Sequence, residues 1–328
     1  MRLIRRGQTG VQVRDVQKRL LELGYQETGL DAELREGRFG EATEKAVRAF
    51  QEARRLRVDG LVGDQTWLEL VEASYGLGDR FLYITIPPFR GDDVREAQRF
   101  LNSLGFSAGK EDGIFGRETE MAVKAFQSNT GLPQDGILGA STINALLSLR
   151  HAVKPTSIAE VREKLSVESV SRPEEIEVVV AGPPAGVAAG LSRHLQALLK
   201  DRGAVVLDST WLDEGDETGV AAAANLQCAD LLFGLCPIPA TSSAPDNLIL
   251  YYFSGGKSES PEGKRLALLM AEALRPHTHR AIEVVGKSFR ILRESRMPCV
   301  VLEGEVRQPE VERSAAALHA AIMQWLGL

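Results

Sequence analysis

Cysteine is scarce in this chain, with Cys228, Cys236 and Cys299 as the only 3 among 328 residues. Three cysteines in apolar surroundings are too few for a disulfide framework, which favours a reducing compartment. The sequence also lacks an apolar run long enough to span a bilayer, and its N-terminus reaches only Leu3-Ile4 before charge returns. We therefore expect a cytoplasmic protein without a signal peptide or a transmembrane segment.

Positive charge is not in excess, because 39 Lys and Arg residues face 45 Asp and Glu residues, a net charge of -6. Without a basic stripe, nucleic acids and anionic membranes are poor candidates as partners. The apolar content of 44% and the charged content of 26% are typical of a globular protein. A chain of this length exceeds one ordinary core, so we expect two or three domains.

The first half of the chain repeats itself. The stretch Gly37-Arg38-Phe39-Gly40 matches Gly113-Ile114-Phe115-Gly116 at an offset of 76 residues, and the match continues to Thr66 and Thr142. Upstream of this stretch the offset becomes 81, so the first copy has 5 extra residues in its first loop. Self-similarity over about 70 residues indicates a duplication.

Each copy is predicted to form three short helices, because apolar residues recur at steps of three and four and glycines follow them. We expect Phe39, Phe50, Phe115 and Phe126 to be core residues. The Asp-Gly pairs are expected to form turns. These positions identify a type of module without locating a ligand groove.

The motif of each copy resembles the type 1 peptidoglycan-binding module. In order it is V-Q-x-x-L-x-x-L-G, D-G-x-F-G-x-x-T-x-x-A-V-x-x-F-Q and D-G-x-x-G-x-x-T, and the second copy has all of it. The first copy departs at Glu36-Gly37, in place of Asp-Gly, and at Arg55-Leu56, in place of Gly131-Leu132. The resemblance implies a groove for the peptidoglycan stem peptide. Such modules also serve as protein-docking units, so ligand binding stays a prediction.

Composition places the domain boundaries. We predict module 1 at 1–76, a linker at 77–91, module 2 at 92–150, a polar linker at 151–173 with a helix from Ile158 to Leu165, and an α/β domain at 174–328.

The second half alternates strand and helix patterns, which favours a mostly parallel sheet. The predicted strands are Ile176 to Ala181, Ala204 to Leu207, Ala229 to Leu235, Asn247 to Phe253, Phe289 to Leu292 and Cys299 to Glu303. The predicted helices are Val187 to Lys200, Gly219 to Gln227, Gly263 to Arg275 and Pro309 to Leu326. The predicted fold is therefore multidomain, with two small three-helix (all-α) modules and one α/β domain whose sheet is covered by helices.

An acidic residue, Glu303, follows the apolar run from Cys299 to Leu302, at the sheet edge where ligands bind in α/β domains. The stretch from Phe289 to Glu305, FRILRESRMPCVVLEGE, resembles the last active-site strand of the zinc N-acetylmuramoyl-L-alanine amidases. The order of elements in this half resembles their type 3 amidase domain. The resemblance implies that Glu303 is the catalytic carboxylate, and Arg293 is a candidate ligand-binding residue.

The expected zinc ligands are missing. Such an amidase holds zinc with His, Glu and His and leaves one position open for water. The resemblance places Pro184 where the first histidine would stand and Cys236 where the last would stand, and no acid lies between Glu177 and Asp201. Proline has no ligand atom, and one thiolate is not a site. We therefore expect no cofactor, and zinc only under the alternative of an active amidase.

Other sites can be set aside. His194, His277, His279 and His319 lack the spacing of a metal site. Gly256-Lys257-Ser258 is not a phosphate loop, because Tyr251 stands where its first glycine is required. Residues 182–186 are a weak candidate for anion binding, because two of them are prolines without amide donors. The apolar surroundings of Cys236 and Cys299 favour inert thiols.

The order of modules resembles the actinobacterial CwlM-type proteins. That resemblance implies a non-catalytic regulator of cell-wall precursor synthesis, whose partners are peptidoglycan fragments, a lipid-linked precursor or enzymes of precursor synthesis. Glu303 is then a remnant, a hydrogen-bond acceptor for a ligand, or an exposed acid at a strand end. The alternatives are an active amidase with an atypical metal site and a scaffold whose modules no longer bind wall fragments.

Overall fold

The predicted repeat is present as two small helical modules. This computed structural model describes residues 3–149, 161, 163–165, 167, 170, 172–210, 217–236, 247–255, 258–304 and 306–328. The chain divides into two units, Met1–Ala159 and Glu160–Leu328. The first unit contains both modules, and the second contains the α/β domain. The predicted linker at 151–173 falls largely outside the described residues, as do Gly256 and Lys257.

Module 1 has one helix more than the three predicted. Its helices are α1 (Val11–Glu22), α2 (Leu30–Glu36), α3 (Glu41–Ala53) and α4 (Asp64–Ala73). The additional helix α2 occupies the loop in which the first copy has its extra residues. Phe39 and Phe50 are buried in the core of the module, as predicted.

Module 2 has the three predicted helices, α5 (Asp92–Ser103), α6 (Arg117–Thr130) and α7 (Ala140–Ser148). Phe115 and Phe126 are buried in its core. The middle helices of the two modules begin after Gly40 and Gly116, the positions predicted from the motif.

Residues 77–91, predicted as a linker, contact module 2. The backbone of Leu82 pairs with that of Leu138, with N···O distances of 3.3 and 2.8 Å, and the Leu82 side chain is buried in the core. Ile4 and Val62 form the equivalent pair in module 1.

A glutamine on a helix braces the Asp-Gly turn of the motif. The Nε2 atom of Gln127 donates to Asp135 Oδ1 at 2.6 Å, to the carbonyl of Ile137 at 3.1 Å and to Thr142 Oγ1 at 3.1 Å. Its Oε1 atom accepts the amide of Gly136 at 2.9 Å. Gln51 and Gln98 make the same set of bonds. The motif therefore fixes a buried polar brace, which explains why it requires Gln, Asp-Gly and Thr together.

In module 1 the brace formed by Gln17, the counterpart of Gln98, is altered. Its turn has Glu36-Gly37 in place of the Asp-Gly pair of the motif. Gln17 Nε2 still donates to the Arg38 carbonyl and to Thr43 Oγ1, at 2.9 and 2.8 Å. Its buried Oε1 atom has no partner in the described part of the chain. Instead, Glu33 on α2 accepts bonds from the amides of Gly40, Ala42 and Thr43 at 2.9 to 3.0 Å. The inserted helix therefore supplies a carboxylate cap to α3.

The second unit is built on a six-stranded sheet of order β2-β1-β3-β6-β4-β5. The strands are β1 (Glu177–Gly182), β2 (Val205–Thr210), β3 (Leu231–Leu235), β4 (Leu248–Phe253), β5 (Ile282–Lys287) and β6 (Cys299–Glu303). The helices are α8 (Val187–Asp201), α9 (Glu217–Leu226), α10 (Pro261–Leu274), α11 (Arg290–Glu294) and α12 (Val311–Leu326). Short 3₁₀ turns span Pro173–Glu175, Arg275–His277 and Gln308–Glu310.

The predicted mostly parallel sheet is confirmed, with β4 antiparallel to β6 as the exception. Apolar side chains of α8, α10 and α12 cover one face, and those of α9 and α11 cover the other. Two local predictions were wrong. The stretch Phe289 to Leu292 begins the helix α11 rather than a strand, and the edge strand β5 was not predicted. Both elements are short, and periodicity decides poorly between helix and strand over five or six residues.

No helix among the described residues combines the length and apolar character that crossing a membrane requires.

Candidate functional site

Glu303 lies at the carboxyl-terminal ends of the parallel strands β1, β3 and β6, which form one rim of the sheet. The register pairs Ala181 with Gly234 and Leu235 with Leu302, so these three strands finish at nearly the same level. The amide of Cys236 donates to the Leu302 carbonyl at 2.9 Å, which places Cys236 beside Glu303 on the neighbouring strand. This edge is where α/β domains bind ligands.

The Glu303 side chain is buried and is held by a tyrosine. Its exposed fraction is 5%, which excludes the exposed strand-end acid considered from the sequence. Tyr251 Oη donates to Glu303 Oε2 at 2.6 Å. The Tyr251 ring packs edge-on against Phe289, with centroids 4.9 Å apart. A hydrogen bond to a carboxylate is short and strong, so this contact fixes the orientation of Glu303.

Gly304 ends β6 directly after Glu303. Its φ is +126°, a backbone conformation that residues other than glycine rarely adopt. A Cβ atom here would lie 2.9 Å from the Asn247 carbonyl and 2.8 Å from Leu248 Cδ2. The glycine therefore allows the chain to turn tightly against the start of β4, which keeps Glu303 at the end of its strand.

Arg293, the other predicted site residue, is carried by α11. It is buried, and its helix packs on β4 and β6, the strands of Tyr251 and Glu303. Ile291 and Leu292 of the same helix belong to the core cluster that contains Tyr251. The structure therefore brings Arg293 and Glu303 to the same face of the sheet.

Glu217 is an acidic residue at this face that the sequence did not suggest. It begins α9, and its Oε2 atom accepts the amide of Ile291 at 3.3 Å, at the start of α11. Burial raises the pKa of Glu217, and the backbone bond to Ile291 and the charge of Arg290 oppose this shift. An isolated Glu before a small-residue helix carries no signal that would have identified it.

The described residues at the carboxyl end of these strands do not fit zinc. Pro184 is exposed in the bend between β1 and α8, and Cys236 is half-buried after β3. Within the described ranges, no three His, Cys, Asp or Glu side chains are grouped closely enough to hold a metal ion. A hydrolytic zinc site needs three protein ligands and an open position. We derive no chemical step through a metal for this arrangement.

The histidines of this unit lie on separate elements. His194 is on α8, where its Nδ1 atom is 2.8 Å from the Gly190 carbonyl. His277 and His279 flank the end of a 3₁₀ turn, and His319 is on α12. Burial and the nearby Arg202 lower the pKa of His319, which disfavours its charged form. None of them lies on a strand end beside Glu303.

Comparison with known proteins agrees with this architecture. The model of a family described as a putative peptidoglycan binding domain matches residues 9–70 and 90–146, one match in each module. A spore cortex-lytic enzyme of Bacillus cereus is 43% identical over 67 residues, which are 20% of this chain.

The longest of the alignments considered is with the N-acetylmuramoyl-L-alanine amidase CwlM of Mycobacterium tuberculosis. The two are 33% identical over 296 residues, which cover 83% of this chain and 73% of that protein. The chain belongs to the CwlM family. Membership covers both halves of the chain, the peptidoglycan-binding modules and the α/β domain, and it places the protein in cell-wall biology.

Other amidases match only part of this CwlM family chain. The N-acetylmuramoyl-L-alanine amidase CwlL of Bacillus licheniformis is 31% identical over 45% of this chain and 46% of its own length. The solved catalytic domain of the amidase CwlV from Bacillus (Paenibacillus) polymyxa covers 46% of this chain and 99% of that domain, at 20% identity and a TM-score of 0.37.

Proposed function

We propose that this CwlM family chain is a non-catalytic protein that recognises peptidoglycan or its lipid-linked precursor and regulates precursor synthesis from the cytoplasm. The observation that supports the proposal is that the described residues beside Glu303 do not form a metal-ligand set. The resemblance to the amidases implies histidines at the positions of Pro184 and Cys236, and the described residues around Glu303 do not group three metal ligands. Without a metal to polarise the scissile carbonyl, a single buried carboxylate is insufficient for amide hydrolysis.

Glu303 acts in this proposal as a binding group. A buried carboxylate held by Tyr251 is preorganised to accept a hydrogen bond, because its orientation is fixed before any ligand arrives. The two modules supply recognition of wall fragments, and joining two weak sites in one chain raises avidity without new contacts.

An active amidase with an atypical metal site is the second candidate. The burial of Glu303 and its bond to Tyr251 favour it, because a catalytic carboxylate needs the same fixed orientation as a binding group. Under this candidate Cys236, beside Glu303 at the end of β3, would supply one metal ligand.

Metal content and hydrolysis distinguish the two candidates. The purified, untagged full chain is analysed for zinc by mass spectrometry, and release of stem peptide from muropeptides is followed on the same sample. We expect no zinc above background and no hydrolysis. Near-stoichiometric zinc, with hydrolysis that is lost in Glu303→Gln, would establish the amidase and overturn the proposal.

Ligand recognition and regulation need separate tests. Calorimetric titration with soluble muropeptides should show binding, whereas chitin oligomers, which lack the stem peptide, serve as the control ligand. Intact folding with no affinity for muropeptides would favour the scaffold hypothesis instead. Affinity capture from a cell lysate should enrich enzymes of precursor synthesis, and recovery of none would count against the regulatory role.

A further inference from the structure

An uncharged apolar segment lies at the start of module 2. Residues 81–89 have the sequence FLYITIPPF, and an arginine stands at each end, at positions 80 and 90. Four of the large side chains are exposed: Phe81 by 61%, Tyr83 by 44%, Ile84 by 46% and Ile86 completely. We refer to residues 81–89 as the apolar loop. Exposed apolar groups this close together commonly mark an interaction surface.

Both ends of the apolar loop are fixed to the module. Leu82 pairs with Leu138 at one end, and the amide of Phe115 donates to the Phe89 carbonyl at 2.9 Å at the other. Ile84 and Ile86 lie midway between these anchors along the chain. Their exposure therefore follows from the fold of module 2 and not from a loose connection between modules.

Module 1 shows that the fold does not require apolar residues here. At the equivalent position Ile4 pairs with Val62, and the amide of Phe39 donates to the Gln8 carbonyl at 2.8 Å. The residues between these anchors are Arg5-Arg6-Gly7, a shorter and cationic connection. Apolar residues at this position are therefore not required by the fold of the module.

The side chains of the apolar loop are arranged by polarity. Ile84 and Ile86 occupy its middle, and Tyr83 and Phe89 pack edge-on nearer its ends, with centroids 5.3 Å apart. Arg80 lies beyond them, stacked 3.7 Å over the Tyr75 ring and bonded to Asp93 at 2.7 Å. Aliphatic, aromatic and cationic groups follow the same order with depth in a bilayer, from the hydrocarbon through the interface to the headgroups.

Two prolines and one bonded hydroxyl reduce the number of polar groups in the loop that need water. Pro87 and Pro88 have no amide hydrogen, and Thr85 Oγ1 donates to the Pro87 carbonyl at 2.8 Å. Polar groups that are absent or already bonded lower the free-energy cost of entering an apolar medium. This favours a lipid surface as the occupant.

We propose that the apolar loop inserts shallowly into the interface of a lipid bilayer and holds the chain at a membrane surface. The net charge argues against attraction to anionic lipids, but burial of apolar side chains does not depend on charge. Uncharged and anionic bilayers are therefore both bound. The proposal is independent of catalysis and of recognition of wall fragments.

Co-sedimentation of the full chain with vesicles tests the proposal. One set of vesicles is phosphatidylcholine and the other is a mixture of phosphatidylcholine and phosphatidylglycerol. The double variant Ile84→Ser/Ile86→Ser should weaken binding to both kinds of vesicle by about tenfold or more. The reason is that two aliphatic side chains are no longer present to be buried in the bilayer. The controls are Val11→Ser and Leu226→Ser, at apolar positions exposed by 80% and 85% elsewhere, and they should bind as the unmodified chain does.

A fluorescent reporter places the loop in the bilayer. The emission of Ile86→Trp, after subtraction of the parent chain, should shift to shorter wavelength when vesicles are added. An unshifted emission, failure of the unmodified chain to bind either vesicle, or an equal loss in the two controls would each overturn the proposal. A dimer in sedimentation equilibrium that the double variant abolishes, without vesicle binding, would identify the loop instead as a contact between copies.

Discussion

Arg54 of module 1 and Asp92 of module 2 form a two-point ion pair. The Nη1···Oδ1 distance is 2.9 Å and the Nη2···Oδ2 distance is 2.5 Å. The guanidinium also lies 5.7 Å from the centroid of the Phe50 ring, and Asp92 accepts a further bond from Arg95 at 2.7 Å. Planar, two-point pairing sets a direction as well as a distance, so this pair aligns the two modules.

We predict that Arg54 and Asp92 are energetically coupled. In a double-mutant cycle of Arg54→Ala and Asp92→Ala, the interaction free energy should be about 1–2 kcal/mol, because the pair is mostly shielded from water. Hydrogen exchange of peptides from both modules in the full chain measures it. The same cycle at the exposed pair of Lys45 and Glu41 should give much less. Equal coupling in the two cycles would show that the intermodule pair has no special role.

The carboxylate cap of α3 predicts acid sensitivity of module 1. Burial raises the pKa of Glu33, but hydrogen bonds from Thr43, Ala42 and Gly40 outweigh burial, so the pKa lies below its ordinary value. A lowered pKa in the folded state adds stability that is present above the unfolded value, about 4.3, and is lost as pH falls through the folded value. Glu33→Gln should therefore cost about 1–3 kcal/mol at pH 7 and should flatten the acid part of the profile.

Hydrogen exchange of α3 between pH 3.5 and 7, corrected for the intrinsic rate, follows this effect. The control is Glu36→Gln on the same helix, where the carboxylate is exposed and bonds only to Arg38 at 2.9 Å among the contacts described. A Glu36 variant with the same acid profile as the Glu33 variant would contradict the assignment of the cap.

The altered brace predicts unequal effects of one substitution in the two modules. Gln98→Leu, at the position equivalent to Gln17, removes the side chain that binds the Gly113 amide and Asp112, which should destabilise module 2 by about 1–3 kcal/mol. Gln17→Leu removes fewer bonds, and it also removes the Oε1 atom that has no partner within the described residues. Its cost should be smaller, as measured by local hydrogen exchange. The opposite order would refute the brace as the source of stability.

The contact at the sheet edge predicts different behaviour of two adjacent tyrosines. Tyr251→Phe removes the 2.6 Å bond to the buried Glu303 carboxylate and should destabilise the second unit by about 1.5–3 kcal/mol. Tyr252→Phe is the matched control, because its hydroxyl is 3.5 Å from Glu259, at the limit of a hydrogen bond. Urea unfolding followed through the second unit compares them. Similar losses in both variants would mean that the Glu303 contact is not special.

Much of the fold could be predicted from the sequence because its signals are local. The repeat offset, the Asp-Gly turns and the buried phenylalanines follow from residue types at short spacing. The mostly parallel sheet follows from alternating strand and helix patterns, and Glu303 was placed at a strand end by the apolar run before it. Short elements were missed, since β5 and α11 offer too few residues for a period to be recognised.

The sequence by itself determined which residue types are present at the candidate site, including Pro184 and Cys236, the positions at which the resemblance to the amidases implies histidines. Only the tertiary structure decided what surrounds them. Tyr251 and Glu303 are 52 residues apart and meet because β4 pairs antiparallel with β6, a neighbour relation that no local pattern specifies. Glu33 caps α3 for a similar reason, since an insertion folds back on a helix end. Such contacts are set by packing across the chain, where burial and hydrogen bonding are satisfied together.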